Sequence, residues 1–248
     1  LIADPGFWAL ALAAVALTGL SKGGMGGGAA VATPLIALAI PPAQAAAIML
    51  PVLCVLDLVG VGAYLGRWDR RLVRILVPAG VAGTVLGALL VSYMNDDWIR
   101  ILLGVVALGL LAATLYPKRV HRKPGDAQGW FWGTLAGFTG FITHAGGPPV
   151  MVYLIAQRLE KDAFIATLLV FFFALNYAKV PSYLWLGFFD LGLLVTAALL
   201  IPIGIAGIYA GQWLQRRIDA RWFYRMIYGL LFFTGTKLLY DGINGLRP

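Results

Sequence analysis

The sequence predicts an all-α polytopic membrane protein built from two inverted-topology repeats, each a re-entrant or broken-helix hairpin followed by three spanning helices. Three observations lead there: the composition, the distribution of basic residues among the loops, and a motif that recurs 124 residues later. Of 248 residues, 60% are hydrophobic and only 12% charged, with a mean hydropathy of +0.84; a soluble domain carries roughly a quarter of its residues charged. At about 20 residues per spanning helix, the chain has room for eight to ten passes and little else. An extramembrane catalytic domain does not fit, and long unbroken apolar runs exclude the alternating pattern of a β-barrel. A single cysteine, Cys54, excludes an intrachain disulfide.

Apolar runs bounded by charges, Pro or Gly fall at about 5–20, 26–40, 43–66, 72–92, 98–116, 129–142, 147–157, 163–186, 190–211 and 226–241. Six are long enough to cross a bilayer. The other four form two pairs, joined at Gly19–Gly28 and at Thr143–Pro149. At roughly 17–24 Å as helix each is short for a hydrocarbon core of about 30 Å.

Fourteen of the nineteen Lys and Arg residues sit in four loops: Arg67, Arg70, Arg71 and Arg74; Lys118, Arg119, Arg122 and Lys123; Arg158 and Lys161; Arg216, Arg217, Arg221 and Arg225. The alternate loops, Asn95-Asp96-Asp97 and Gly187-Phe188-Phe189-Asp190, carry none. The positive-inside rule puts the basic loops in the cytoplasm and both termini outside. The net charge of +8 is therefore an orientation signal and not a nucleic-acid footprint.

Pro78-Ala79-Gly80-Val81-Ala82-Gly83 with Gly87 matches Pro202-Ile203-Gly204-Ile205-Ala206-Gly207 with Gly211. In the same alignment Gly27-Gly28 fall near Gly146-Gly147, Asp57 opposite Asn176, and Asp69 opposite Asp190. Equivalent loops have opposite charge character, as an inverted duplication requires; such repeats recur in secondary transporters, with substrate at the repeat interface. The expected units are residues 1–116 and 129–248, joined by a basic linker at 117–128. The repeated glycines themselves read as helix-packing positions, since small residues four apart let backbones approach.

The first interruption runs from Gly19 to Gly28, the second from Thr139 to Pro149. Gly clusters and Pro oppose continuous helix, and irregular backbone at membrane depth survives only where it is buried or lines a cavity. Each break leaves a helix N-terminus, near Gly28 or Pro148, whose amides and dipole favour an anion. Ionisable side chains cluster in the same regions: Lys22, His144, Asp57, and Lys179 beside Asn176. An intramembrane charge costs roughly 2.5–3.5 kcal/mol on insertion scales and so should face the bundle interior. Asn176, Lys179 and Tyr183 share a helix face, and Pro181 bends that helix nearby.

The candidate substrate-binding set is Ser21, Lys22, Gly27, Gly28, Thr143, His144, Gly146, Gly147, Asn176 and Lys179; Asp57 and His144 are the proton-coupling candidates. Structural roles compete with each: Lys22 snorkelling from a helix end, His144 as a satisfied core histidine, Asp57 as a plain ion-pair partner. Two lysines against one aspartate favour an anion over a cation. No zinc or di-carboxylate constellation, nucleophile elbow or phosphate loop is present in the sequence, so neither enzyme chemistry nor a cofactor is expected.

At these interruptions the chain resembles the TauE/SafE sulfite exporter family, also called the toluene sulfonate uptake permease family. The likeness rests on the Gly23–Gly28 run followed by Pro34, on Thr143-His144-Ala145-Gly146-Gly147-Pro148-Pro149, and on the basic linker. The second motif resembles the form of the TauE-like branch. The resemblance implies a bacterial inner-membrane secondary transporter of small sulfur-containing oxyanions such as sulfite, organosulfonates or sulfoacetate, usually exporting. The alternatives are an anion channel, a carrier of another small organic or inorganic anion, and a membrane assembly or redox-partner protein without transport. Expected partners are the small anion and the bilayer, with a homodimer the one protein assembly the reading admits and no nucleic acid.

Overall fold

The computed structural model describes residue 2, residues 4–25, 29–115, 123–214, 217 and 220–246, and these residues form helices with no strand among them. In chain order they are α1 (Pro5–Leu20), a π-helical turn (Ser21–Met25), α2 (Ala29–Ile36), α3 (Pro42–Ala63), α4 (Arg70–Val91), α5 (Asp96–Leu115), α6 (Asp126–Thr143), α7 (Gly147–Ala156), α8 (Lys161–Trp185), α9 (Leu191–Leu214) and α10 (Ala220–Gly245). Among the described residues five stretches are long and apolar enough to span a membrane: Pro5–Gly23, Pro42–Gly62, Arg70–Val91, Lys161–Trp185 and Leu191–Leu214.

Several helices start where a short polar side chain can accept an orphan first-turn amide. Asp4 accepts from Gly6 N at 2.9 Å, Asp69 from Leu72 N at 3.0 Å, Asn95 from Trp98 N at 3.0 Å and Asp190 from Leu193 N at 3.0 Å. Inside the bundle, buried threonines return their hydroxyls to the carbonyl four residues back, as Thr18 does to Ala14 and Thr196 to Gly192, both at 2.8 Å.

Two sequence expectations change here. The first interruption does not break at Gly19: α1 continues through a π turn, so Pro5–Gly23 reaches about 28 Å and Lys22 sits in helical backbone. The glycines are tolerated because they are contact surface. A Cβ on Gly19 would run into the Gly204 carbonyl and one on Gly23 into the Ile208 carbonyl of α9. Likewise α6, expected to be short, runs 18 residues, about 27 Å. The truly short elements are α2 and α7, 8 and 10 residues long, or about 12 and 15 Å.

The packing is led by glycine faces. α9 lies along α1 and α4 along α6; α3 packs on α8 and α9, α4 on α8, and α5 on α10. Gly207 would meet Ala16 and Gly19 if it carried a Cβ, and Gly83 would meet Thr134 and Phe138. The two PxGxAGxxxG segments are thus helix-packing faces.

One end of the bundle gathers the Arg67–Arg74 loop and its acidic partners. Arg67 Nη1 pairs with Asp162 at 2.7 Å, Arg71 with Asp126 at 2.5 Å, and Gln157 donates to the Pro124 carbonyl at 3.0 Å. These contacts bring the loop between α3 and α4 together with the starts of α6 and α8 and the end of α7.

Candidate functional site

The charged interior is assembled from three helices far apart in sequence. Lys22, on the π turn, donates to Asp57 Oδ1 of α3. The other carboxylate oxygen, Oδ2, accepts from Asn176 Nδ2 of α8 at 2.6 Å. Asn176 Oδ1 in turn accepts from Lys179 Nζ at 3.0 Å. The result is a chain, Lys22–Asp57–Asn176–Lys179, with the amide turned so that its N–H₂ meets the carboxylate and its carbonyl the ammonium. The Asp57 side chain is 0% exposed and that of Lys22 10%; Asn176 and Lys179 are each 3% exposed. The i, i+3, i+7 face read from α8 is therefore buried as a unit, with Tyr183 at its far end.

Three members of this chain, Lys22, Asn176 and Lys179, line a cavity of about 730 Å³. Into it face Ser21, Lys22, Asn176 and Lys179, together with the first residues of both short helices: Ala29 and Ala30 of α2, and Gly147 and Pro148 of α7. The two helix starts expected from the interruptions thus converge on one space. Phe164, Leu168, Leu169, Phe172, Leu53 and Met151 supply apolar wall. The cavity extends to Tyr64, Lys161 and Gln212, near the C-terminal end of α3, the start of α8 and the end of α9, and so towards the basic end of the bundle.

His144 caps α6 in the left-handed region, φ 53°, where a non-glycine residue is uncommon and points to a constrained role. Its Nδ1 lies 3.0 Å from Thr33 Oγ1 of α2. Nε2 is buried without a hydrogen-bond partner although the residue lines the cavity. A buried unpaired ring nitrogen costs about 1–3 kcal/mol, a cost that a ligand oxygen would remove.

Tyr183, one turn beyond Lys179 on α8, is fully buried. Its hydroxyl donates to the Phe141 carbonyl at 2.6 Å, and its ring meets those of Phe141, Phe188 and Phe189 with centroids 5.2, 5.3 and 5.8 Å away.

Of the residues singled out from sequence, Ser21, Lys22, His144, Gly146, Gly147, Asn176 and Lys179 line the cavity. Thr143 does not: its hydroxyl donates to the Thr139 carbonyl and accepts from Ala145 N at 3.1 Å, so it shapes the turn between α6 and α7. Asp57 lies behind Lys22 and Asn176 and is not part of the lining. Gly27 and Gly28 lie outside the described residues. The set of amide donors at the start of α7 is also narrower than expected. Pro148 and Pro149 carry no N–H, leaving the amides of Gly146 and Gly147 as donors there. Thr33 and the aromatic cluster around Tyr183 were missed from sequence; a lone threonine in the apolar run Ala29–Ile36 was the available signal for the first.

The family model for sulfite exporter TauE/SafE matches residues 11–238. Among curated proteins, the chain is 23% identical over 180 residues to the "Probable sulfite/organosulfonate exporter TauE" of Cupriavidus necator, a match covering 71% of this chain and 70% of that relative. No solved structure matches.

Proposed function

The chain belongs to the sulfite exporter TauE/SafE family, and on that footing we propose that it is a secondary transporter which exports small sulfur-containing oxyanions across the bacterial inner membrane by alternating access. One observation carries the reading: two buried lysines, His144 and the starts of two short helices line one cavity. Such donors fit the oxygens of a sulfite or sulfonate head, with Lys22 and Lys179 supplying charge and Gly146, Gly147, Ser21 and His144 supplying directional hydrogen bonds. Thr33 donating to Nδ1 of His144 would leave the proton on Nε2, the ring nitrogen without a partner. The site is a binding site and not a reaction centre.

The carrier is built from two inverted repeats, residues 1–116 and 129–248. The packing supports this: exchanging α1 with α6, α3 with α8 and α4 with α9 maps the contact of α9 on α1 onto that of α4 on α6, and the contact of α3 on α9 onto that of α8 on α4. Individual contacts follow the same exchange. Gly207 against Ala16 and Gly19 corresponds to Gly83 against Thr134 and Phe138, one turn apart on each partner helix. Asp57 and Asn176, paired in the sequence alignment, touch each other, as residues on a two-fold axis would.

With the basic loops in the cytoplasm, the cavity is open inward and the aromatic cluster at Tyr183 is the closed outer side. A carrier has one side closed at a time; a channel needs a continuous path. Reconstitution in liposomes tests both. Radiolabelled sulfite or ethanesulfonate should enter faster when the same anion is present on the other side. Flux equal to protein-free liposomes refutes transport, and flux without trans-stimulation refutes the carrier.

A further inference from the structure

Taking the anion-transport reading of this site as its basis, we infer that Asp57 is a resident counter-ion that holds the site at a net charge of +1 and thereby selects monoanions over dianions. Asp57 is fully buried, with one carboxylate oxygen on Lys22 and the other on Asn176. Because it is not part of the cavity lining, it cannot serve as a substrate ligand. It nevertheless sets the field there: two lysine cations and one carboxylate leave one unit of positive charge. His144 enters that count in its neutral form, and Lys161, the other charged residue lining the cavity, lies exposed at the mouth where water and salt screen it.

A monoanion makes the loaded site neutral, the form that crosses a low-dielectric barrier at least cost. A dianion leaves an uncompensated negative charge beside the Asp57 carboxylate, which repels it; selectivity by such a built-in repulsive element is a general device. The corresponding position in the other half of the chain is Asn176, which has the same shape and no charge. The difference between the two is one carboxylate against one amide, and it is this difference that reduces the site from two positive charges to one.

The test uses the purified full chain in detergent at pH 6.5, where the sulfonates are fully ionised and a buried lysine holds its proton more readily than in alkaline buffer. Binding of ethanesulfonate and ethane-1,2-disulfonate is measured by calorimetry and by ligand-induced thermal shift, with butyrate and succinate as a parallel pair. The wild-type protein should bind the monosulfonate at least tenfold more tightly than the disulfonate, the scale expected for one unscreened unit charge in a partly buried site. Asp57→Asn should move that ratio at least tenfold towards the disulfonate. Asn176→Asp, which brings the site to zero, should weaken the monosulfonate at least tenfold with no gain for the disulfonate, and serves if Asp57→Asn does not fold. A wild-type protein that binds the disulfonate as tightly as the monosulfonate overturns the inference, as does an unchanged ratio in Asp57→Asn. If the carboxylates bind and the sulfonates do not, the sulfur-oxyanion reading fails while the charge inference is decided on butyrate and succinate. Binding of none of the four overturns both.

Discussion

Replacing Lys22 with Met removes the one cationic partner that a fully buried carboxylate has among the described residues and keeps the side-chain volume close to that of lysine. In the variant, Asp57 retains a single hydrogen bond, from Asn176 at 2.6 Å, and its side chain stays at 0% exposure. A contact pair with charge centres about 4 Å apart in an effective dielectric near 20 is worth about 4 kcal/mol. That agrees with the roughly 3–5 kcal/mol lost when one partner of a buried pair is deleted. For a chain of this size each kcal/mol shifts Tm by about 2–4 °C, so Lys22→Met should lower Tm by about 6–20 °C. Thermal unfolding in detergent, followed by intrinsic tryptophan fluorescence, reads the shift. The decisive comparison is the double variant Lys22→Met/Asp57→Asn. Removing the orphaned charge should restore at least about 2 kcal/mol, because a neutral amide is far cheaper to bury than an unpaired carboxylate. A Tm change under about 2 °C in the single variant, or a double variant less stable than the single one, would refute the claim that Lys22 neutralises Asp57 in a dry interior.

Three further outcomes are expected. Gly83→Val drives a side chain into the Thr134 carbonyl and separates α4 from α6; a loss of at least about 2 kcal/mol is expected from overpacking, against a neutral or slightly stabilising Gly109→Ala, where a Cβ meets nothing within 4 Å. Equal thermal stability of the two variants would contradict the packing. Thr33→Val removes the hydroxyl 3.0 Å from His144 Nδ1, a hydrogen bond worth about 1 kcal/mol, so sulfonate affinity should fall roughly fivefold while Thr33→Ser keeps it; two-bond nitrogen NMR correlations of the imidazole should show the Nε2–H tautomer in wild type, and Nδ1–H there would contradict the assignment. With Cys54 buried, single cysteines report topology: Asn95→Cys should react with a membrane-impermeant maleimide in intact cells and Lys123→Cys only after permeabilisation, and the reverse pattern would invert the proposed orientation.

Much of the site was legible because a charge inside an apolar run stands out on energetic grounds alone. Lys22, Lys179 and His144 were visible for that reason, and the face joining Asn176, Lys179 and Tyr183 followed from helical periodicity. The glycine motifs could be read as packing surfaces because small residues four apart have few other uses in a membrane helix. The short helices after each interruption were also visible, although α1 and α6 proved longer than expected. The π turn at Ser21–Met25 escaped the sequence because backbone propensity there opposes helix; close approach of α9 at Gly204, Gly207 and Gly211 occupies the same glycines and keeps the chain helical.

The sequence by itself determined the helical membrane class, the four basic loops, and which polar groups had to lie inside, since all three follow from local composition and the cost of charge in lipid. Only the tertiary structure decided which groups meet. Lys22 and Asp57 are 35 residues apart, Asn176 and Asp57 119, and Thr33 and His144 111. Their pairing depends on how each helix is rotated and how closely it approaches its neighbours. Backbone contacts across glycine faces set those angles and distances, and no local pattern of residues encodes them. The same geometry placed the Asp57 carboxylate outside the cavity lining, in contact with two residues that do line it.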